Sequence, residues 1–422
     1  MHSVTNAIPT GTIVSIPAKA HAHRALICAA LANSPSTILL SRTSKDIDAT
    51  MDSLRGLGAH VVYENKIVTV TPGPAPAKGN VVPHESGTTL RLLLPVASSI
   101  CNDVDVDAKG RLPDRPLEPM LGEMKAHGVT FSQDKPPFTM TGRLQGGNFS
   151  MVGDVSSQFF SGLLLAAPQI GLSTITSTTP LQSSDYVTLT TETMRDFGVE
   201  VEHTLPDTNI NEAFTVPFGA SFIGRDNYQI EGDWSNAAIW MVAAGMTGKP
   251  ITITGMNKNS VQADRRIMQV MIDAGCDVVW DGMNVTVTGR ASKPIHADLE
   301  QMPDMLPVMA ALACSISGES SFIKGARLRL KESDRLVAVA NLVRDLGGTV
   351  REEGDDLYII GSGILKGGHG DCVNDHRLVM AGTLMALISE NPVTLKDSEA
   401  ITKSYPDFFE DWNLLGGDAH GI

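Results

Sequence analysis

Six glycines, Gly58, Gly128, Gly198, Gly275, Gly347 and Gly416, recur along the chain at spacings of 70, 70, 77, 72 and 69 residues. Each closes an apolar segment of helical periodicity, such as Ile47, Met51 and Leu54 before Gly58, or Leu336, Ala340, Val343 and Leu346 before Gly347. A glycine there reads as a helix C-terminal cap, because a positive φ costs it little. The first five lead into strand-like Val61-Val62, Val129-Thr130-Phe131, Val199-Glu200-Val201, Val278-Val279-Trp280 and Thr349-Val350, whereas after Gly416 the chain is read as simply stopping. The pattern predicts one α/β unit used six times, a globular duplication and not a solenoid of short helical repeats. Functional groups are expected where repeats meet.

With 422 residues, 42% of them hydrophobic, the chain can bury substantial cores and favours at least two domains. A net charge of −14 argues against nucleic-acid binding, so any anionic ligand must be held by a local cluster of Lys and Arg. Five scattered cysteines without a CxxC spacing predict reduced thiols in a cytoplasmic protein, Cys101 included. The longest apolar run, Phe159 to Ile170, is too short to span a bilayer, and no membrane partner is expected. Pro72 to Gly79 and the glycine-rich Gly361 to Gly370 read as loops.

Three stretches place polar residues beside Gly, Ser or Thr at helix starts: Glu85 to Arg91, Asp154 to Phe159, and Lys331 to Leu336. Free backbone N–H groups and the helix dipole attract anions there, and Lys or Arg neutralises them. In the third stretch Lys331, Glu332 and Arg335 are spaced to converge on one side of a first helical turn. Each stretch alone also fits an ordinary capped helix. Asp304, after Pro303, fits a helix N-cap equally well; Arg91 and Arg115 fit surface ion pairs. His21 and His23 form a His-x-His without further ligands at metal-binding spacing.

Taken in order, these segments are far more specific. Together with Ile16-Pro17-Ala18-Lys19-Ala20-His21-Ala22-His23-Arg24, Asp233-Trp234-Ser235, Pro303-Asp304, Asn374-Asp375-His376-Arg377 and Lys403-Ser404-Tyr405-Pro406-Asp407, they make the chain resemble the EPSP synthase (3-phosphoshikimate 1-carboxyvinyltransferase) family over nearly its whole length. The resemblance implies a two-domain inverted α/β barrel of six βαβαββ repeats, with the active site in the interdomain cleft. It places a discontinuous first domain at residues 1–17 and 232–422 on the phosphoenolpyruvate side. A second domain, 18–231, lies on the shikimate 3-phosphate side. It also implies a transferase of aromatic amino-acid biosynthesis (the shikimate pathway), acting as a monomer with neither cofactor nor metal. Cationic groups divided between the two halves further imply domain closure on bound anions.

By the same resemblance, Glu332 exchanges a proton with the methyl carbon, Asp304 serves the acceptor hydroxyl, and Lys19 shares the proton work. Phosphoenolpyruvate is implied to be held by Lys19, Gly87, Arg115, Gln158, Arg335, Arg377 and Lys403. Shikimate 3-phosphate is matched to Lys19, Arg24, Ser156, Ser157, Gln158, Ser183, Tyr186, Asp304, Arg327 and Lys331. The chain departs from the family in having Ala18 and Ala20 where serines usually flank the lysine, which removes a hydroxyl from phosphate binding. Arg327, where asparagine is frequent, is a candidate compensation. Two rival readings are a UDP-N-acetylglucosamine enolpyruvyl transferase and a non-catalytic anion-binding homologue. The first usually has a cysteine near the position of Arg115, and Ala108 to Pro119 has none. The second draws on Ala20, against the presence of every charged residue named above.

Overall fold

The computed structural model describes residues 1–205 and 211–422. They form two compact units, one of residues 1–16 with 231–422 and one of residues 17–230, each around its own apolar core. Each unit carries three four-stranded sheets among the described residues.

One repeat shows how the pattern is built. Strand Gly79–Val81 leads through helix Gly87–Ile100 to the parallel strand Asp103–Val106, and helix Met120–Ala126 then leads to the hairpin of Thr130–Phe131 with Phe138–Thr141. Every sheet has this order of one parallel and two antiparallel pairings. Among the described residues no strand pairing joins one sheet to the next. The expected α/β architecture of six repeats in two domains is present, with sheets that do not close into a barrel.

The six glycines have φ of 87° to 104°, and each stands two residues past the last residue of a helix. The N–H groups of Ala59, Val129, Val199, Cys276, Gly348 and Gly417 donate back to the carbonyls of Leu54, Met124, Met194, Met271, Val343 and Trp412 at 2.8–3.0 Å. This is a Schellman cap made six times. At Gly58 a Cβ would also meet the Pro74 carbonyl oxygen at 2.3 Å, so both φ and space require glycine. Val199 spends its N–H on its cap, and the strand expected at Val199-Val201 starts later, at Glu202–Thr204. Two further expectations are corrected. After Gly416 the chain forms strand Ala419–Gly421 and pairs with His2–Val4. The stretch read as a loop from Gly361 to Gly370 begins at the last residue of strand Asp356–Gly361 and runs into strand Gly368–Asp371, parallel to Val393–Lys396.

Three helices in each unit are buried almost all round: Lys19–Ala30, Gly87–Ile100 and Ser157–Ile170 in one, Trp234–Thr247, Leu306–Cys314 and His376–Ala386 in the other. Helices apolar on every side belong in a core, which accounts for the run Phe159 to Ile170. No helix of the described residues is long and apolar enough to cross a membrane. Within each unit, candidate functional residues of neighbouring repeats meet, Asp304 with Arg377, Arg335 with Asp375, and Gln158 with Thr88 and Arg91. They lie in the loops leaving the carboxyl ends of the parallel strands and at the helix starts that follow, as open α/β sheets favour.

Candidate active site

In unit 17–230, Lys19 opens the helix Lys19–Ala30, whose N-cap is Ala18 with no capping side chain. Its ammonium donates to Asp46 at 2.7 Å, a partner that sequence reasoning did not assign. Helix Gly87–Ile100 starts at Ser86, whose hydroxyl accepts the Thr89 N–H. Gly87 leaves room for Arg115: a Cβ there would lie 2.6 Å from the guanidinium Nη1. The structure thus brings together the two residues assigned to one anion, a backbone turn and a cation. Helix Ser157–Ile170 starts at Ser156, which caps the Gln158 N–H. The Gln158 side chain bridges Thr88 Oγ1 at 2.9 Å and Arg91 Nη1 at 3.1 Å. Arg91 is buried and also donates to the Pro116 carbonyl, so its reading as a surface ion pair is wrong. Ser183, with φ of 53°, stands just before helix Asp185–Asp196, which carries Tyr186.

Arg24 sits differently from its assigned role. It is buried, and Nε donates to Thr190, Nη1 to the Ala20 carbonyl, and Nη2 to Ser161 and the Tyr186 carbonyl. Four of its five N–H groups fasten three helices together, leaving one Nη1 hydrogen for a ligand. His21 and His23 have separate partners, Tyr228 and Thr50.

In unit 1–16 with 231–422, Asp304 lies in the short turn Pro303–Met305 and caps no helix. Its carboxylate instead receives Arg335 Nη1 at 2.6 Å, Lys331 Nζ at 3.2 Å and Arg377 Nη2 at 3.2 Å. Burial alone would raise this carboxyl, but Arg377, Lys331 and Arg335 together hold it well below the usual carboxylate range. Arg335 also donates to Glu332 at 2.5 Å and to Asp375 at 2.8 Å. Burial would lower the guanidinium, yet Asp375, Glu332 and Asp304 outweigh it and raise it. Asp375, fully buried, caps helix His376–Ala386 and receives the Ser333 hydroxyl. Its role was missed, though it stands inside a recognised motif.

The expected convergence on a first helical turn is corrected in one respect. Helix Arg335–Asp345 is capped by Asp334, so Lys331 and Glu332 precede it, and Asp304 is what draws Lys331 to Arg335. Burial, reinforced by Arg335 and Arg327 and opposed by Asp304, brings Lys331 down to about 8. Lys403 ends the turn Ser398–Lys403 and donates to the Asn374 carbonyl at 2.8 Å. Asp264, also missed, is raised to about 6 by burial and by Asp304, and its carboxylate receives the Ser235 hydroxyl.

Chemically this unit offers two carboxylates, Asp304 and Glu332, on one guanidinium, with further cations around them. The other offers backbone N–H groups at two helix starts beside Lys19 and Arg115. Such groups suit phosphates and carboxylates.

A family model for EPSP synthase (3-phosphoshikimate 1-carboxyvinyltransferase) matches residues 6–412. The 3-phosphoshikimate 1-carboxyvinyltransferase of Clostridium kluyveri is 36% identical over 413 residues, covering 97% of this chain and 95% of that protein. The protein of the same name from Methanocorpusculum labreanum is 35% identical over 417 residues, with 97% of each chain covered. Among solved structures, an EPSP synthase from Acinetobacter baumannii aligns with a TM-score of 0.81 at 23% identity over 99% of each chain, a likeness of fold. With the family model spanning nearly the whole sequence and relatives above 30% identity covering almost all of it, this chain belongs to the EPSP synthase family.

Proposed function

We propose that this chain transfers the enolpyruvyl group of phosphoenolpyruvate to the 5-hydroxyl of shikimate 3-phosphate, releasing phosphate. The observation that carries this reading is the pairing of Asp304 and Glu332 on Arg335, with Lys331 and Arg377 on Asp304. The reaction needs a proton delivered to the methylene carbon, attack of the hydroxyl on the cationic carbon so formed, and return of a methyl proton as the carbon–oxygen bond to phosphate breaks. Two separate carboxyl groups serve that traffic, Glu332 at carbon and Asp304 at the hydroxyl, and cations stabilise the charge that develops. Lys19, Gly87, Arg115, Gln158, Arg335, Arg377 and Lys403 would hold phosphoenolpyruvate. Ser156, Ser157, Gln158, Ser183, Tyr186, Arg327 and Lys331 would hold shikimate 3-phosphate, and Arg24 would offer it a single N–H. All these roles fall on one chain, which fits a monomer. Five buried free cysteines fit a cytoplasmic site of action.

Phosphate release is the direct test. Release should require both phosphoenolpyruvate and shikimate 3-phosphate. Turnover with UDP-N-acetylglucosamine as acceptor but not with shikimate 3-phosphate would overturn the assignment, and binding without release would favour a non-catalytic homologue.

A further inference from the structure

A chain of buried polar side chains links three helices of unit 17–230. His23 Nδ1 lies 2.7 Å from Thr50 Oγ1, Thr50 Oγ1 lies 2.7 Å from Thr89 Oγ1, and Thr89 Oγ1 lies 2.8 Å from Ser86 Oγ. All four residues are at most 1% exposed. A row of hydroxyls can be proton-ordered in either direction, and its ends decide which. At the His23 end, Nε2 is buried with no partner among the described residues. Burial, then Lys19 and Arg24, hold this imidazole well below its usual value, so it is neutral and has one proton to place. A proton on Nε2 would be an orphaned buried donor, which proteins avoid more strongly than an underused acceptor. The proton therefore sits on Nδ1 and is donated to Thr50.

The direction then propagates. Thr50 gives its hydrogen to Thr89, and Thr89 gives its own to Ser86 at 2.8 Å in preference to the Asp46 carbonyl at 3.3 Å. Ser86 Oγ also accepts the Thr89 N–H at 3.2 Å, so both its lone pairs are occupied. Its remaining hydrogen can only be donated, and it stands one residue before Gly87, against which the Arg115 guanidinium lies.

We propose that His23 is a positioning residue that orders this hydroxyl chain so that Ser86 O–H is a donor to the phosphate-bearing substrate at the Gly87 helix start. The inference rests on the proposed role of Gly87 and Arg115 in holding that anion. With the order reversed, Ser86 would spend its hydrogen on Thr89.

The test uses the full chain and the Michaelis constant for phosphoenolpyruvate. Thr50→Val keeps shape, touches no proposed ligand residue, and breaks the chain. A lost hydrogen bond to a charged group corresponds to a rise of roughly ten- to a hundredfold, with the constant for shikimate 3-phosphate unchanged. Ser86→Ala should give the same rise, and the double variant should be no worse than either single one. His23→Asn, whose amide N–H falls near Nδ1, should retain wild-type values where His23→Leu does not. Circular dichroism melts establish that each variant is folded, and Thr50→Val decides the matter should His23→Leu fail to fold. Additive effects, or an unchanged constant in Thr50→Val, overturn the inference. Arg115→Ala separates the two levels: without a rise there, the cradle reading fails and the inference with it. A rise in Arg115→Ala but not in Thr50→Val refutes the positioning role alone.

Discussion

Arg335 is 1% exposed and gives its fork to three carboxylates, Asp375, Asp304 and Glu332. Arg335→Met keeps most of its volume and removes the charge. Asp375 is the decisive partner, because it is fully buried and would lose its countercharge. Breaking a buried pair from one side costs about 3–5 kcal/mol, a large share of the roughly 5–15 kcal/mol by which domains are stable. All four tryptophans, Trp234, Trp240, Trp280 and Trp412, lie in the unit that holds Arg335. Urea unfolding followed by tryptophan fluorescence therefore reports that unit.

The pH dependence carries the sharper test. In the wild type, burial raises the Asp304 and Asp375 carboxyls but the cations beside them win, and both titrate below the usual range. Their contribution is present above the unfolded value, near about 3.9, and is lost as pH falls through the lower folded values. Without Arg335, burial prevails at Asp375 and that carboxyl is raised. It can then take a proton as pH falls, so the folded variant binds more protons than its unfolded form and is destabilised as pH rises. The stability difference between wild type and Arg335→Met should be about 3–5 kcal/mol near pH 7 and shrink clearly by about pH 5. Asp264, raised to about 6 in the wild type, tilts both proteins in the same direction and largely drops out of that difference. A difference below about 1 kcal/mol, or one independent of pH, would refute the argument that Arg335 neutralises a buried carboxylate.

Glu332→Gln should lower turnover by about 10²–10⁴-fold while shikimate 3-phosphate still binds, and retention of more than roughly a tenth of wild-type turnover would exclude Glu332 as the proton carrier. Lys331 loses its charge as pH rises through about 8, so the Michaelis constant for shikimate 3-phosphate should climb above that pH; a constant flat into clearly alkaline buffer would remove Lys331 from phosphate binding. Ala20→Ser should lower the same constant with little change in turnover, as restored uniform binding does. An unchanged constant would point to Arg327 as the group that already fills the need.

The glycine caps were legible because one physical requirement, a positive φ after an apolar helix, leaves almost no choice of residue. The partners of the last repeat were not, because His2–Val4 and Ala419–Gly421 meet across nearly the whole length of the chain. The same locality limited the reading of the site. A motif places Arg24 beside Lys19, but the acceptors that occupy it, Ser161, Tyr186 and Thr190, come from two other helices. Arg377 and Lys331 were recognised as cations, whereas the carboxylate that sets their position, Asp304, stands in a separate turn.

These partners also reconcile an acidic protein with the anionic substrates proposed for it. Lys19 is held by Asp46, and Lys331, Arg335 and Arg377 all meet at Asp304. Each cation is thus kept extended and ordered by a carboxylate before any ligand arrives, which lowers the entropy that binding must overcome. The cost is competition, since a substrate phosphate must share these cations with carboxylates already in place. Asp375 is too deeply buried to be displaced from Arg335, so it serves as a fixed anchor. Asp304 is more exposed and shared among three cations. It is the carboxylate whose contacts can be redistributed when an anion binds, which would free an oxygen for the role proposed for it at the acceptor hydroxyl.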